Sequence, residues 1–435
     1  MGVKEFEGKK LLILGGNAET VPLVEMANGM GILTIVASSV PGEPAKKAAW
    51  KASDVDGMDV PGLVALAREE MVDGALVGVA DMLVPSYCKV CDVLKLPCYA
   101  TQEIVDIFSF KDVFKATCER YGIHGIPEYY LDESLNDDDV AKIAFPVMVK
   151  PVDSASGQGI TKCDDAGQLA GAVERALSFS KKKRFIVEKF MDCDDVGIYY
   201  TFKDGHCSAS CVYDRYTSSE QPGKARVCLG GTYPSRHMGE YFERMHRNVV
   251  RMFKEAGIEN GVLMLSAFYE GGEFYVYDTG FRLQGEAPHL IMKAVHGFDQ
   301  REMLIRFALT GSEGGIDLET ADDPRLRGKH AATLWFLLKE GTIGHIEGLD
   351  GWEDDPAVAC VVQRKHEGER IPSEWVGTEK QVLARMYLVC GTEEELAERL
   401  KHYQETVKAT DANGENMLLK GFDVDKALRA KQTEN

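Results

Sequence analysis

The first hundred residues impose the tightest constraint, because short runs that are apolar throughout alternate there with amphipathic helical stretches. Lys9 to Gly16 reads as a strand, its run Leu11 to Leu14 ending in Gly15-Gly16-Asn17, and a helical stretch from Thr20 to Met30 follows. Ile32 to Ser38 and Asp73 to Val79 are further β-rich runs, with helices expected over Val60 to Met71 and Val84 to Leu94. A strand that is apolar on both faces has to be covered on both, as in a parallel sheet wound with helices on its two sides. Residues 1–98 are therefore expected to form a doubly wound, Rossmann-like domain. Ligands of such sheets sit beyond the carboxyl ends of the strands, which makes Gly15 to Asn17 and Ala80-Asp81 rim positions. The glycines lack the full Gly-x-Gly-x-x-Gly spacing, so a tight strand-to-helix turn is the simpler reading than a dinucleotide site.

The rest of the chain is too long to be one appendage. At roughly 150 residues per domain, 435 residues imply two to four domains. With 50 basic and 69 acidic residues the formal charge is −19, which repels nucleic acid and anionic membranes and leaves neither as an expected partner. An anionic substrate would require the few basic side chains to gather in one cleft. No apolar run approaches the roughly 18 residues of a membrane span, and the charged stretch Met1 to Lys10 does not resemble a secretory signal. Eleven cysteines without framework spacing fit reduced thiols, so a cytoplasmic location is expected. Cys88 and Cys91 have redox or zinc spacing but no second pair accompanies them.

Past Pro97, an amphipathic helix is expected over Thr101 to Tyr121, and the acids Asp137 to Asp139 suit a helix start. Phe145 to Pro151 is a β-rich run carrying Lys150, followed at once by the small-residue segment Val152 to Ile160. Converging backbone N–H groups beside a lysine make a phosphate cradle, and a glycine-rich hairpin tip is the alternative. Arg184 to Met191 is another strand, with Asp195 seven residues after Glu188. Hairpins are expected to turn at Lys203 to His206 and at Tyr269 to Glu273, the second leading into a strand that ends at Asp278, four residues before Arg282. A polar linker over Gly311 to Lys329 precedes strands at Thr342 to Gly348, Ala357 to Gln363 and Val382 to Cys390, and Thr392 to Glu395 is a capping box.

Lys150, the small-residue loop, Glu188 with Asp195, and Asp278-x-x-x-Arg282 follow in an order that resembles the ATP-grasp superfamily, and within it the carboxylate-amine ligases, biotin carboxylase and carbamoyl phosphate synthetase. The resemblance covers nearly the whole chain. It implies an α/β and α+β multidomain protein: a doubly wound domain (1–98), a two-lobed ATP-grasp domain (99–311, with 144–200 as the flexible ATP-binding lobe) and a small C-terminal sheet domain (330–428) like that of biotin carboxylase. It implies ATP and Mg²⁺ as cofactors, a small-molecule carboxylate and an amine as substrates, and an ADP-forming carbon–nitrogen ligation as the activity. Relatives commonly dimerise, which leaves a homodimer open.

Carried over position by position, Lys111 and Lys150 are the phosphate lysines, and Ser154, Ser156, Gly157 and Gly159 belong to the loop over the β and γ phosphates. Backbone groups from Glu188, Lys189, Phe190 and Met191 would read the adenine edge, and Asp195 would take the ribose hydroxyls. Arg282 would hold the acyl phosphate or the substrate carboxylate, a planar bidentate task. Arg215 and Arg226 are candidate substrate contacts, with a surface salt bridge as the plain alternative for them and for Lys111. His289 and His296 are weaker candidates. One departure bears on mechanism: where the family places a glutamate, then Glu-x-Asn, to hold magnesium, this chain has Ser266, Asp278 and Gly280. Asp278 is left as the metal ligand, and Glu286 could compensate only if its geometry allows. That loss motivates an alternative, an ATP-binding protein with weakened or no catalysis. A bicarbonate-using carboxylase relative is a third reading. A nicotinamide oxidoreductase built on residues 1–100 ranks last, since it leaves Lys150 to Arg282 without a role.

Overall fold

The computed structural model describes residues 5–152, 159–218 and 226–429. Four parallel strands, β1 (Lys10–Leu14), β2 (Leu33–Ala37), β3 (Lys51–Ser53) and β4 (Gly74–Val77), lie in the order β3-β2-β1-β4. Leu11 to Leu14 are each wholly buried, as their uninterrupted apolar run required. Burying a side chain of that size stabilises by roughly 1.5–3 kcal/mol. The order reverses between β1 and β4, so the carboxyl ends of these two strands flank the crevice of the sheet.

The expected helix over Thr101 to Tyr121 is two helices, Gln102–Ser109 and Lys111–Arg120. Phe110 between them has extended backbone (φ −113°, ψ 114°), which ends the first helix and makes Lys111 the first residue of the second.

A second sheet of four strands follows, with β5 (Glu128–Tyr129), β6 (Val147–Pro151), β7 (Thr161–Cys163) and β8 (Phe185–Lys189) in the order β5-β8-β6-β7. The helix Leu169–Phe179 packs on it, and the pair have their own apolar core, built on Val147, Val149, Leu169, Val173 and Val187. The third sheet is the largest. It contains β9 (Asp194–Lys203), β10 (His206–Thr217), β11 (Cys228–Tyr233), β12 (Gly261–Glu270), β13 (Glu273–Gly280) and β14 (His330–Leu337), in the order β13-β12-β9-β10-β11-β14. Both expected hairpins turn where the glycines placed them, β9 to β10 and β12 to β13.

After β14 the same sheet continues into the strand Val382–Cys390 and then Val358–Gln363. Two of the three strands expected in a small C-terminal sheet thus extend the large one across the polar linker, whereas the expected run Thr342 to Gly348 is two short strands, Gly341–Thr342 and His345–Glu347, each in a two-stranded sheet of its own. β14 and Val382–Cys390 are buried along nearly their whole length, so both faces of this part of the sheet are covered. Phe281, Tyr199, Val262 and Leu14 share one core cluster, which joins the N-terminal domain to the large sheet. No helix among the described residues is long and apolar enough to cross a membrane.

Candidate active site

Two loops at the rim of the parallel sheet begin the site. Asn17, just after β1, donates from its amide to the Val79 carbonyl beyond β4 (2.9 Å) and accepts from Thr20 Oγ1 (2.7 Å). A Cβ on Gly78 would lie 2.4 Å from Thr20 Oγ1, so the glycine permits the two loops to close on each other. Facing this rim is the large sheet. Between them lies a cavity of about 290 Å³ lined by Asn17, Glu19, Val79, Arg215, Met264, Ser266, Tyr277, Asp278, Arg282, Gln284, Glu286 and Glu379 among others. Arg215, Arg282 and Asp278, far apart in sequence, are brought together here.

The two arginines are buried and each is already engaged. Arg215 donates to Tyr277 Oη (2.7 Å), to Asp195 (3.2 Å) and to Glu286 (2.5 Å). Burial works against its charge, but Asp195 and Glu286 outweigh burial and hold its pKa well above the ordinary value. For Asp195 the balance goes the other way: burial lifts its carboxyl pKa more than Arg215 and the donated Tyr277 hydroxyl (3.0 Å) lower it. Glu286 also accepts from Tyr213 Oη (2.9 Å), which in turn accepts from Gln284 Nε2 (2.7 Å). Glu286 is thus turned toward Arg215 and Tyr213 at the cavity wall.

Arg282 donates to the Leu283 carbonyl (2.7 Å) and forms an ion pair with Asp81 of the rim. Burial opposes its charge and Asp81 more than offsets it, so the pKa stays above the ordinary arginine value. Its Nε–H is buried without an acceptor, and so is that of Arg215. A buried donor left unpaired costs roughly 1–3 kcal/mol, and an anionic group entering this cavity would recover it.

The remaining sequence candidates lie nearer the four-stranded sheet. Lys150 on β6 pairs with Glu188 on β8 (2.5 Å), both largely covered. Lys111 is exposed and reaches Asp278 at 3.4 Å, which links the helix start to the cavity. The N–H groups of Lys189 and Phe190 donate to the carbonyls of Pro127 (2.9 Å) and Pro146 (3.0 Å), whereas the Met191 N–H has no such partner among the described residues. Met191 itself is buried. The ring of Phe190 lies under two cations, Lys162 Nζ at 4.5 Å and the Arg226 guanidinium at 5.6 Å. Arg226 also approaches Asp192 at 3.6 Å, outside the cavity that holds Arg215 and Arg282. Gly159 has φ +75°, and a Cβ there would meet Phe179 at 2.8 Å, so its glycine answers a backbone need. Ser154, Ser156 and Gly157 lie outside the described residues.

His289 and His296 bracket one helix, His289–His296, and both are buried. His296 Nε2 meets the Asp323 carbonyl at 3.0 Å, and burial pushes the His289 imidazole pKa down to about 3, which keeps it neutral. Neither lines the cavity. Cys88 and Cys91 are free, buried thiols on the helix Val84–Leu94. Conversely, Asp81, Tyr277, Gln284 and Glu19 had no role on sequence grounds. Asp81 was legible as a rim position only. At the cavity wall, Glu19 meets Arg364 at 2.6 Å and Arg385 meets the exposed Glu379 at 3.0 Å, an ion-pair cluster that ties the N-terminal domain to the C-terminal strands.

For the magnesium that the resemblance implies, no group of three or more histidine, cysteine, aspartate or glutamate side chains able to hold an ion occurs among the described residues. Ser266 is buried with its hydroxyl toward Met264 Sδ (3.7 Å). Asp278 is therefore the acid that β12 and β13 bring to the cavity. Mg²⁺ is commonly held by one or two carboxylates together with substrate phosphates, and a single-ion site of that kind fits these residues.

A doubly wound domain, then a four-stranded sheet and a large antiparallel sheet, give this chain the fold of the ATP-grasp proteins. A family model described as the D-ala D-ala ligase C-terminus matches residues 128–219, the stretch containing Lys150, Glu188, Asp195 and Arg215. The sequence is similar to phosphoribosylamine–glycine ligase of Phenylobacterium zucineum, 27% identical over 204 residues covering 46% of this chain and 47% of the relative. It is also similar to formate-dependent phosphoribosylglycinamide formyltransferase of Bacillus velezensis, 25% identical over 222 residues, 48% of this chain and 55% of the relative. The chain thus spans about half the length of the curated relatives it matches. In fold it resembles phosphoribosylglycinamide synthetase of Anaerococcus prevotii (TM-score 0.74, 16% identity, 93% of this chain and 100% of that one). An L-amino acid ligase of Bacillus licheniformis is equally near (TM-score 0.73, 18% identity, 94% and 100%). Biotin carboxylase of Campylobacter jejuni follows (TM-score 0.72, 15% identity, 98% and 96%). The resemblance read from the ordered motifs, to ATP-grasp proteins of the carboxylate-amine ligase type, stands on all three kinds of likeness.

Proposed function

We propose that the protein is an ATP-dependent ligase that activates a small-molecule carboxylate as an acyl phosphate and joins it to an amine, releasing ADP and phosphate. The observation that carries this reading is the cavity where Arg215, Arg282 and Asp278 of the large sheet meet the rim of the parallel sheet, with the Lys111 ammonium at its edge. ATP lies between the two sheets in this reading. Lys150 and Lys111 hold its phosphates as point charges, Gly159 belongs to the turn that closes on them, and Glu188 to Met191 border the adenine. Asp195 takes the ribose side through the network it shares with Tyr277 and Arg215. Magnesium, bound at Asp278, would neutralise charge on the terminal phosphates.

The acid substrate is gripped by Arg282, whose buried Nε–H has no acceptor, while Arg215, held by Asp195 and Glu286, offers a second unpaired Nε–H. A carboxylate oxygen attacks the terminal phosphorus in line, breaking the bond to the bridging oxygen that leaves with ADP. Positioning and electrostatics dominate such a step, because the charge on the transferring group is spread over its oxygens. The amine then adds to the acyl carbon, phosphate departs and the amine proton is lost, which leaves an amide. Arg226, beside Phe190 and Asp192, contributes to the mouth of the cleft.

The test is phosphate release from ATP with panels of acids and amines. Magnesium-dependent release that needs both an acid and an amine is the expected result. A second reading, a nucleotide-binding protein with weakened or no catalysis, is favoured by Ser266 and Gly280, which bring no acid to the metal positions. ATP binding without release across the whole panel would establish it, and release with bicarbonate as the acid would point to a carboxylase relative.

A further inference from the structure

We propose that Asp81, on the rim of the N-terminal domain, supplies the oxygen ligand that β13 lacks at Gly280, so that the magnesium–nucleotide site is shared between two domains. The inference rests on the ATP reading above. Asp278 and Gly280 are two residues apart on one strand and face the same side, and their partners Ser266 and Met264 do likewise. A Cβ built on Gly280 would lie 2.6 Å from Asp81 Oδ1 and 3.6 Å from Arg282 Cζ. The carboxylate therefore occupies the space in which any side chain at 280 would begin, and an asparagine there and Asp81 cannot coexist in these positions.

The two oxygens of Asp81 have different surroundings. Oδ2 takes the Arg282 guanidinium, whereas Oδ1, directed at Gly280, has no hydrogen-bond donor among the described residues. The side chain is 49% exposed while that of Arg282 is 10% exposed, so the arginine anchors one oxygen and leaves the other open to the cleft. The unpaired Nε–H of Arg282, nine-tenths buried beside it, is an independent sign that an anion belongs here. Two carboxylates from different domains, with phosphate oxygens and water completing six positions, satisfy an ion that takes oxygen ligands and keeps part of its hydration. The glycine is then the counterpart of the aspartate and not a lost ligand.

Mn²⁺ binding to the full chain in the presence of ADP, followed by electron paramagnetic resonance, tests this without relying on turnover. Asp81→Ala is expected to weaken Mn²⁺ by tenfold or more while ADP affinity measured without metal stays within about twofold. Asp81→Ala combined with Gly280→Asn should recover most of the loss, because the new amide oxygen enters the vacated space. Asp81→Asn, which keeps an acceptor for Arg282 and preserves the fold, should also weaken Mn²⁺. Unchanged Mn²⁺ affinity in both single variants, with only the acid substrate's KM raised, would overturn the inference and make Asp81 a positioning residue for Arg282. A wild-type chain that binds neither ADP nor Mn²⁺ would overturn the ATP reading along with it.

Discussion

Asp81 and Arg282, 201 positions apart in the chain, form an ion pair that joins the rim of the parallel sheet to the end of β13. One partner lies on the loop after β4, where a doubly wound sheet presents its ligand-binding edge; the other follows the end of β13. The orientation of that guanidinium is consequently set by a domain to which it does not belong. Arg282→Lys keeps the charge facing Asp81 but loses the planar fork, so the KM for the acid substrate should rise at least tenfold while nucleotide affinity stays unchanged. Steady-state kinetics with ADP titration alongside separates the two effects.

Lys150 should matter to the nucleotide and little to the fold. Its ammonium pairs with Glu188 across the two inner strands of the four-stranded sheet and stays partly exposed to solvent. A hydrogen bond to a charged group contributes roughly 1.5–3 kcal/mol, so Lys150→Ala should weaken ATP about 10- to 100-fold. Calorimetric titration measures this, with Lys181→Ala, in an exposed loop, as the unaffected control.

Arg215 presents the opposite case. Its guanidinium is enclosed by Asp195, Glu286 and Tyr277, so Arg215→Met leaves two buried carboxylates without their cation. Breaking one side of a buried pair costs about 3–5 kcal/mol, which urea denaturation at pH 7.5 should register as a lower midpoint. At pH 5 the loss should be smaller, since burial already raises the Asp195 pKa and the freed acid takes up a proton more readily.

Glu313 gives stability a pH dependence away from the site. Both of its carboxyl oxygens are buried without partners, and burial lifts its pKa from 4.5 to about 7. Between these values the native state binds more proton than the unfolded chain, so stability is highest below about pH 4.5 as far as this group is concerned. It falls as pH rises toward 7 and then levels off. Glu313→Gln should remove that slope and make the protein more stable than wild type at pH 8. Thermal midpoints at pH 5, 6, 7 and 8 read it directly.

How much was legible in the chain divides along the range of the interactions. The apolar run Leu11 to Leu14, the turns at Lys203 to His206 and at Gly271-Gly272, and the capping box at Thr392 are local patterns, and the structure has each where the pattern put it. The ordered motifs from Lys150 to Arg282 are local as well. What the pattern could not convey is which distant groups meet. Arg215 was a candidate substrate contact through the family resemblance, yet Asp195 and Glu286, the latter 71 positions on, engage its guanidinium. Phe110 broke a helix whose apolar spacing runs on without interruption, because the break lies in backbone dihedrals and not in side-chain period. Gly280 was read as an absence, and only the tertiary approach of Asp81 gives it content.

The sheet that crosses the polar linker has a practical consequence. β11 is hydrogen-bonded to β14 from Gly230 with Leu334 to Tyr233 with Ala331, so the last hundred residues supply the covering neighbour for a strand of the larger lobe. A chain shortened at 311–330 would present that strand as a bare row of N–H and C=O groups, a template for other molecules to add to. The linker looks like a place to cut, yet the two sides of it share one fabric, and a fragment ending there should precipitate instead of standing alone as a smaller protein.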